Sequence, residues 1–180
     1  SNPKGAITKP VDLPDGSKVL LSGGSQLSLM QFNGDVHQRK VSLTGEALFD
    51  VVSNPEKPFI VATPHTSIQV LGTIFSIQAY KDAKREILTV REGKVKFTAG
   101  AESKLVKANQ SVSYLSSKQK FTEVTDVTLP ENPDEYIVFN DIELGTAKVI
   151  LENHFNKKII INEKTLSERK IYGKFKKENL

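Results

Sequence analysis

Gly72-Thr73 is the one pair in this chain at which covalent chemistry can be written without a cofactor. A threonine hydroxyl can attack the carbonyl just before it, moving the acyl group from nitrogen to oxygen and leaving an ester that water cleaves. Such a self-cleavage needs a strained peptide, and an adjacent glycine permits strain. No base accompanies the pair in the sequence, and the competing reading is a glycine at a bulge beside a strand threonine. Other constellations fall short. Glu46 and Asp50 share one face of a strand but sit ~13 Å apart, too far for a joint acid–base step. Gly24-Ser25 lacks the second glycine of a nucleophile elbow. His37, His65 and His154 have no ligand-like spacing, and neither a phosphate loop nor a dinucleotide fingerprint follows any strand. Zero cysteines exclude disulfides and thiolate metal sites. The expectation is therefore no enzyme, no metal and no cofactor.

The elements around Gly72-Thr73 read as strands. Ile68 and Val70 point one way, whereas Phe75, Ile77 and Ala79 alternate on odd numbers. Side chains of a strand alternate faces, so the change of parity demands an irregularity near Gly72. Residues 87–91 form the next strand, Glu92-Gly93 a turn, and Val95 and Phe97 alternate with Lys94 and Lys96, as in a half-buried antiparallel sheet. Upstream, residues 11–13, 18–21, 28–32, 39–43, 45–52 and 59–62 read as short strands. They are separated by the turn signals Pro14-Asp15-Gly16, Gly23-Gly24-Ser25, Asn33-Gly34-Asp35 and Asn54-Pro55. Residues 111–127 continue as strand, polar turn and strand. This predicts an antiparallel β-sandwich or jelly-roll-like domain over residues 1–127, with a β-solenoid as the alternative.

Leu129-Pro130 through Asp134 is acidic with two prolines, and residues 128–135 read as a linker. The pattern then changes. Residues 136–139 read as a strand. Leu144, Ala147, Leu151 and Phe155 keep helical spacing, so residues 141–156 are expected to form an amphipathic helix capped by Asp141. Ile159-Ile160-Ile161 reads as a second strand and residues 170–175 as a third, an α+β unit of βαβ type.

Five motifs succeed one another in order: Val11-x-Leu-Pro-Asp-Gly-Ser17, Val41-x-Leu-x-Gly-Glu-Ala47-x-Phe49-x-Val51, Pro58-Phe59-x-Val61-x-Thr63, Val70-Leu-Gly-Thr73-x-Phe75 and Val90-x-Glu-Gly93-x-Val95. Together they resemble the periplasmic part of FecR-like transmembrane anti-sigma regulators, over residues 11–115. One departure is Ala108-Asn109, where that family tends to carry Pro-Gly. Residues 136–180 resemble the first half of a secretin/TonB short N-terminal (STN) domain, which implies an incomplete C-terminal domain with an exposed edge. Some FecR-like relatives are thought to cleave themselves at a Gly-Thr pair of this kind.

The resemblance implies a periplasmic sensor anchored to the inner membrane. Its partners would be the signalling domain of a TonB-dependent outer-membrane transducer and, through an upstream segment, an extracytoplasmic-function sigma factor. The chain starts at Ser1-Asn2 without an initiator methionine and is read as an excised piece, so the membrane helix is expected upstream. No apolar run approaches the ~20 residues of a span. Tyr136, Val138, Ile159 and Ile161, with Lys157 and Lys158, are the expected partner-binding residues, on a strand edge whose free amides and carbonyls accept another strand. Residues 157–177 hold eight Lys or Arg against Glu163 and Glu168, a local +6 that leaves −2 elsewhere in a chain of net +4. That stretch is read as a solvated basic face or a face for an acidic protein, not for nucleic acid. The alternative function, a carbohydrate- or ligand-binding module, is weakened by the absence of Trp and the presence of only 4 Tyr.

Overall fold

The computed structural model describes residues 1–6, 8–32, 37–128 and 136–176. The turn expected at Asn33-Gly34-Asp35 and all but Thr128 of the expected linker lie outside the described residues. The first half of the chain forms β1 (Lys9–Asp12), β2 (Lys18–Leu21), β3 (Gln26–Gln31), β4 (Arg39–Asp50), β5 (Phe59–Ala62), β6 (Ser67–Val70) and β7 (Ile74–Ala79). It continues through β8 (Arg85–Glu92), β9 (Lys94–Ala99), β10 (Glu102–Lys107), β11 (Gln110–Leu115), β12 (Lys120–Phe121) and β13 (Thr125–Asp126). A last group contains β14 (Tyr136–Glu143), helix α1 (Leu144–Phe155), a 3-10 turn at Lys164–Glu168 and β15 (Lys170–Lys176).

Thirteen strands form one hydrogen-bonded network that folds into two layers. The first sheet runs β10-β9-β6-β5-β4-β3, and the second runs β1-β2-β4-β7-β8-β11, with β12 and β13 beyond β11. The strand common to both is β4. Its first half pairs with β3 and β5, and its second half with β2 and β7. Sequence alone divides this segment into two strands at residues 39–43 and 45–52; the structure makes it one strand of 12 residues. The fold class is the expected β-sandwich. A β-solenoid would run its strands parallel, whereas every pairing here but β4–β5 is antiparallel.

Three further ribbons cross between the layers. β6 leads into β7, β8 into β9 and β10 into β11, turning at residues 71–73, at Gly93 and at residues 108–109. The parity change near Gly72 is thus a corner between sheets rather than a bulge within one, and Glu92-Gly93 is a corner rather than a hairpin. The register shift in this region lies one step on, between Ile74 and Phe75. Asn109 takes a φ of 60°, a left-handed conformation that asparagine tolerates.

The interior lies between the layers. Phe49 packs on Phe75 with ring centroids 5.1 Å apart and on Phe59 at 6.1 Å, while Phe97 meets Phe121 at 5.2 Å. Full burial of one such side chain is worth ~1.5–3 kcal/mol, and the phenylalanines together with buried Leu43, Ile68, Ile77 and Leu88 set the two sheets face to face. A buried ion pair closes one end. The Arg39 guanidinium donates to Asp15 at 2.7 Å and to the carbonyls of Lys57 and Val52 at 2.8 and 2.9 Å.

The C-terminal group differs from expectation in three respects. β14 and β15 are antiparallel, so the unit is not a parallel βαβ. Residues 159–161 belong to no strand, because their backbone finds no ladder among the described residues. Asp141 lies within β14, and α1 starts after Glu143 without a side-chain cap. Ile137, Phe139, Ile142, Ala147 and Ile150 form a second core with Tyr80, Ala83 and Ile87 of the sandwich.

The bend of β4 rests on Gly45, whose φ is +107° and whose added Cβ would lie 2.7 Å from the Ser25 Cα. Gly45→Ala is expected to cost ~2 kcal/mol or more. A thermal melt followed by circular dichroism should show the midpoint lowered by roughly 4–8 °C; an unchanged midpoint would show that the bend needs no glycine.

Candidate functional site

Gly72 and Thr73 occupy the β6–β7 corner. Thr73 is buried, and its hydroxyl donates to the Lys94 carbonyl at 3.1 Å. The Thr73 carbonyl accepts from Val51 N–H at 3.1 Å, and the Leu71 carbonyl from Asn54 N–H at 2.7 Å. The hydroxyl therefore faces a carbonyl and no base. Gly72 has a practical reason to be glycine, since a Cβ there would sit 2.5 Å from the Ser53 Cα. Its role here is close approach of two backbone segments.

The six residues expected to bind a partner do not share one sheet. Tyr136 and Val138 lie on β14, in register with Lys176 and Lys174 of β15. The Lys174 ammonium stands 5.3 Å over the Tyr136 ring, a cation–π contact. Lys157, Lys158, Ile159 and Ile161 follow α1 outside any strand. Both lysines are exposed, Ile159 and Ile161 are half-buried, and Ile160 between them is 73% exposed. Ile160 is the apolar residue that sequence reasoning passed over; its neighbours in a β-branched run suggested a buried strand. β15 carries Lys170, Tyr172, Lys174 and Lys176 at alternate positions, and Tyr172 is 69% exposed. Each strand of the β14–β15 pair has a side without a ladder among the described residues.

Ile159, in the middle of residues 157–161, is tied back to α1 by a carboxylate. Glu152 Oε1 accepts the Ile159 N–H at 2.7 Å, and Oε2 accepts from Lys148 Nζ at 2.7 Å. The Lys148 hydrogen bond first, then the Ile159 amide, hold the Glu152 carboxyl below its ordinary value of 4.5.

A third feature was not foreseen. The outer face of the second sheet and the β14–β15 pair enclose a cleft of about 530 Å³. Leu20, Glu46, Leu48, Ser76, Gln78, Thr89 and Ser111 form its floor, and Tyr136, Phe139, Ile142, Tyr172 and Lys174 its roof. Thr89 and Ser111 share a hydroxyl hydrogen bond of 3.0 Å, and Ser111 donates to the Leu88 carbonyl at 2.9 Å. Glu46 is only 7% exposed, with the exposed Asp50 farther along β4. Its cross-strand neighbour is Gln78 of β7, a pairing that register decides and spacing along the chain does not reveal. Nearby, burial and then the Glu46 charge push the Tyr80 hydroxyl well above its usual range, opposed by a hydrogen bond with Ser25. The Tyr80 hydroxyl donates to the Gly23 carbonyl at 3.2 Å.

The histidines are dispersed. His37 and His65 are exposed, and His154 is buried on α1 with its ring 4.7 Å from that of Phe155. Among the described residues no three His, Asp or Glu side chains converge as metal ligands would. No helix among them is long and apolar enough to cross a membrane.

Two layers joined by corner-crossing ribbons, with a small α+β unit against one of them, define a β-sandwich module. Residues 7–96, half of the chain, match the family model described as FecR protein, and the chain belongs to that family. Two crystal structures of a protein from Parabacteroides distasonis ATCC 8503, provisionally classed as an anti-sigma factor, share the fold. One has a TM-score of 0.87 at 24% identity, covering 100% of this chain and 85% of the other. The second has a TM-score of 0.86 at 24% identity, covering 99% and 84%. No curated protein matches the chain.

The Glu152 bond is open to a direct test. A carboxyl whose folded value is depressed stabilises fully above its unfolded value and loses that contribution as pH falls through the folded one. The Ile159 amide resonance should therefore titrate with a midpoint below 4.5. A midpoint above 4.5, or none, would show that Glu152 does not fix this segment.

Proposed function

We propose that this chain is the periplasmic sensor part of a transmembrane anti-sigma regulator, relaying a signal from a TonB-dependent outer-membrane transducer to an extracytoplasmic-function sigma factor by protein–protein binding. Membership of the FecR family supports the anti-sigma role, and the fold is shared with a protein given that same role. Residues 1–127 act as the FecR-like platform, 128–135 as linker, and 136–180 as a partial STN-like domain that meets the transducer. The sigma factor is engaged by an upstream segment across the inner membrane.

The observation that carries this reading is the backbone of residues 157–161. It belongs to no strand, it displays Ile160 to solvent, and two exposed lysines precede it. A segment of this kind can accept or become an added strand, with main-chain hydrogen bonds giving affinity and the lysines selecting an acidic partner. Tyr136 and Val138 lend the adjoining unit its β14 ladder. Occupancy of such a surface shifts a population of conformations without any catalytic step. Self-cleavage at Gly72-Thr73 has no part in it. A carbohydrate module would need aromatic platforms, whereas Tyr172 and Phe175 are the exposed aromatic side chains among the described residues.

Titration calorimetry of this chain, and of a form continued past Leu180, against isolated transducer signalling domains from the same genome tests the reading. One domain should bind with micromolar or tighter affinity, and Lys157→Glu combined with Lys158→Glu should weaken it about tenfold or more. Failure of the longer form to bind any of them would overturn direct reception.

A further inference from the structure

The floor of the cleft holds two oxygen atoms without a hydrogen-bond partner. Glu46 is more than nine-tenths buried, and its Oε2 has no hydrogen-bond partner; the same is true of Gln78 Oε1, directly across the β4–β7 ladder. Both residues line the cleft of about 530 Å³. Turning the Gln78 amide over would offer Glu46 Oε2 an N–H donor but no positive charge, and a buried carboxylate without a compensating cation is costly. Proteins retain such groups where something else supplies the proton donors. The volume falls within the few hundred Å³ typical of small-molecule sites.

We propose that this cleft binds a small organic cation, a primary amine whose ammonium is taken by Glu46 and Gln78 and whose apolar body lies along Leu48 and Ile87. An ammonium offers three donors and the compensating charge that the carboxylate lacks. The cations already lining the cleft, Lys174 and Arg91, have other partners. Lys174 stands over the Tyr136 ring, and Arg91, four residues beyond Ile87 on β8, makes an interaction of its own. Because the roof belongs to the β14–β15 pair, an occupied cleft would join the sandwich to the C-terminal unit. This site is separate from the strand surface at residues 157–161, and either can fail alone.

Ligand-observed NMR and calorimetry at pH 7, with n-butylamine, 2-phenylethylamine and cadaverine as probes and n-butanol and 2-phenylethanol as neutral counterparts, test the proposal. At least one amine should bind with a dissociation constant below ~1 mM, and its alcohol counterpart about tenfold more weakly. Glu46→Gln should weaken amine binding about tenfold or more while leaving the melting midpoint equal or higher, since it removes an uncompensated buried charge. Gln78→Leu should weaken it as well. Absence of binding by all three amines, or binding unchanged in Glu46→Gln, would overturn the proposal. So would a lowered midpoint in Glu46→Gln, which would make the carboxylate a structural group.

Discussion

The continuity of β4 through both layers is the constraint on which this fold depends. A strand of 12 residues cannot belong to two facing sheets unless it bends, and the bend falls where Gly45 takes a φ of +107°. Ser25 fills the space a side chain would need, and its hydroxyl accepts the Glu46 N–H at 2.8 Å. Glycine thus allows both the backbone angle and the approach of the β2–β3 connection. Once β4 is bent, Val41 and Leu43 face the interior from one layer and Ala47 and Phe49 from the other. The three crossing ribbons then follow the same path from layer to layer.

The same bend sets the outer face of the second sheet, against which the C-terminal unit rests. Three ties hold the two together. Tyr80, Ala83 and Ile87 complete the second core. Arg85 on β8 pairs with Glu143 at the end of β14, at 3.2 Å. The amino-terminal segment bridges them, with Asn2 exchanging backbone bonds with Ser25 and Gly5 N–H donating to the Asn153 carbonyl at 3.2 Å. Between these ties the sheet and the β14–β15 pair stay apart, which is why the buried Glu46 and the half-buried Gln78 lie beneath a cleft instead of packed.

Period-two patterning made β7, β8 and β9 legible, and the parity change located the corner at residues 71–73. What the corner joins was not legible, because a chain leaving one sheet for another has the same local pattern as a bulge within one. The division of residues 39–52 into two strands has a related cause, because Gly45 bends β4 without ending it. In the C-terminal part the helical spacing of Leu144, Ala147, Leu151 and Phe155 placed α1. Ile159 to Ile161 read as a strand on β-branching alone, but a strand also needs a ladder partner, and Glu152 takes the Ile159 amide instead. Glu46 was weighed with Asp50 because they are near in sequence, while its neighbour Gln78 follows from pairing register, which periodicity does not encode.

The proposed reception through the backbone after α1 is most directly tested by hydrogen exchange on the free chain and on the chain saturated with a transducer signalling domain. The amides of residues 157–161 and of β15 should become protected on binding, with the sandwich core unchanged. Protection confined to the sandwich, with residues 157–161 exchanging as fast as before, would contradict the assignment of that segment as the receiving surface.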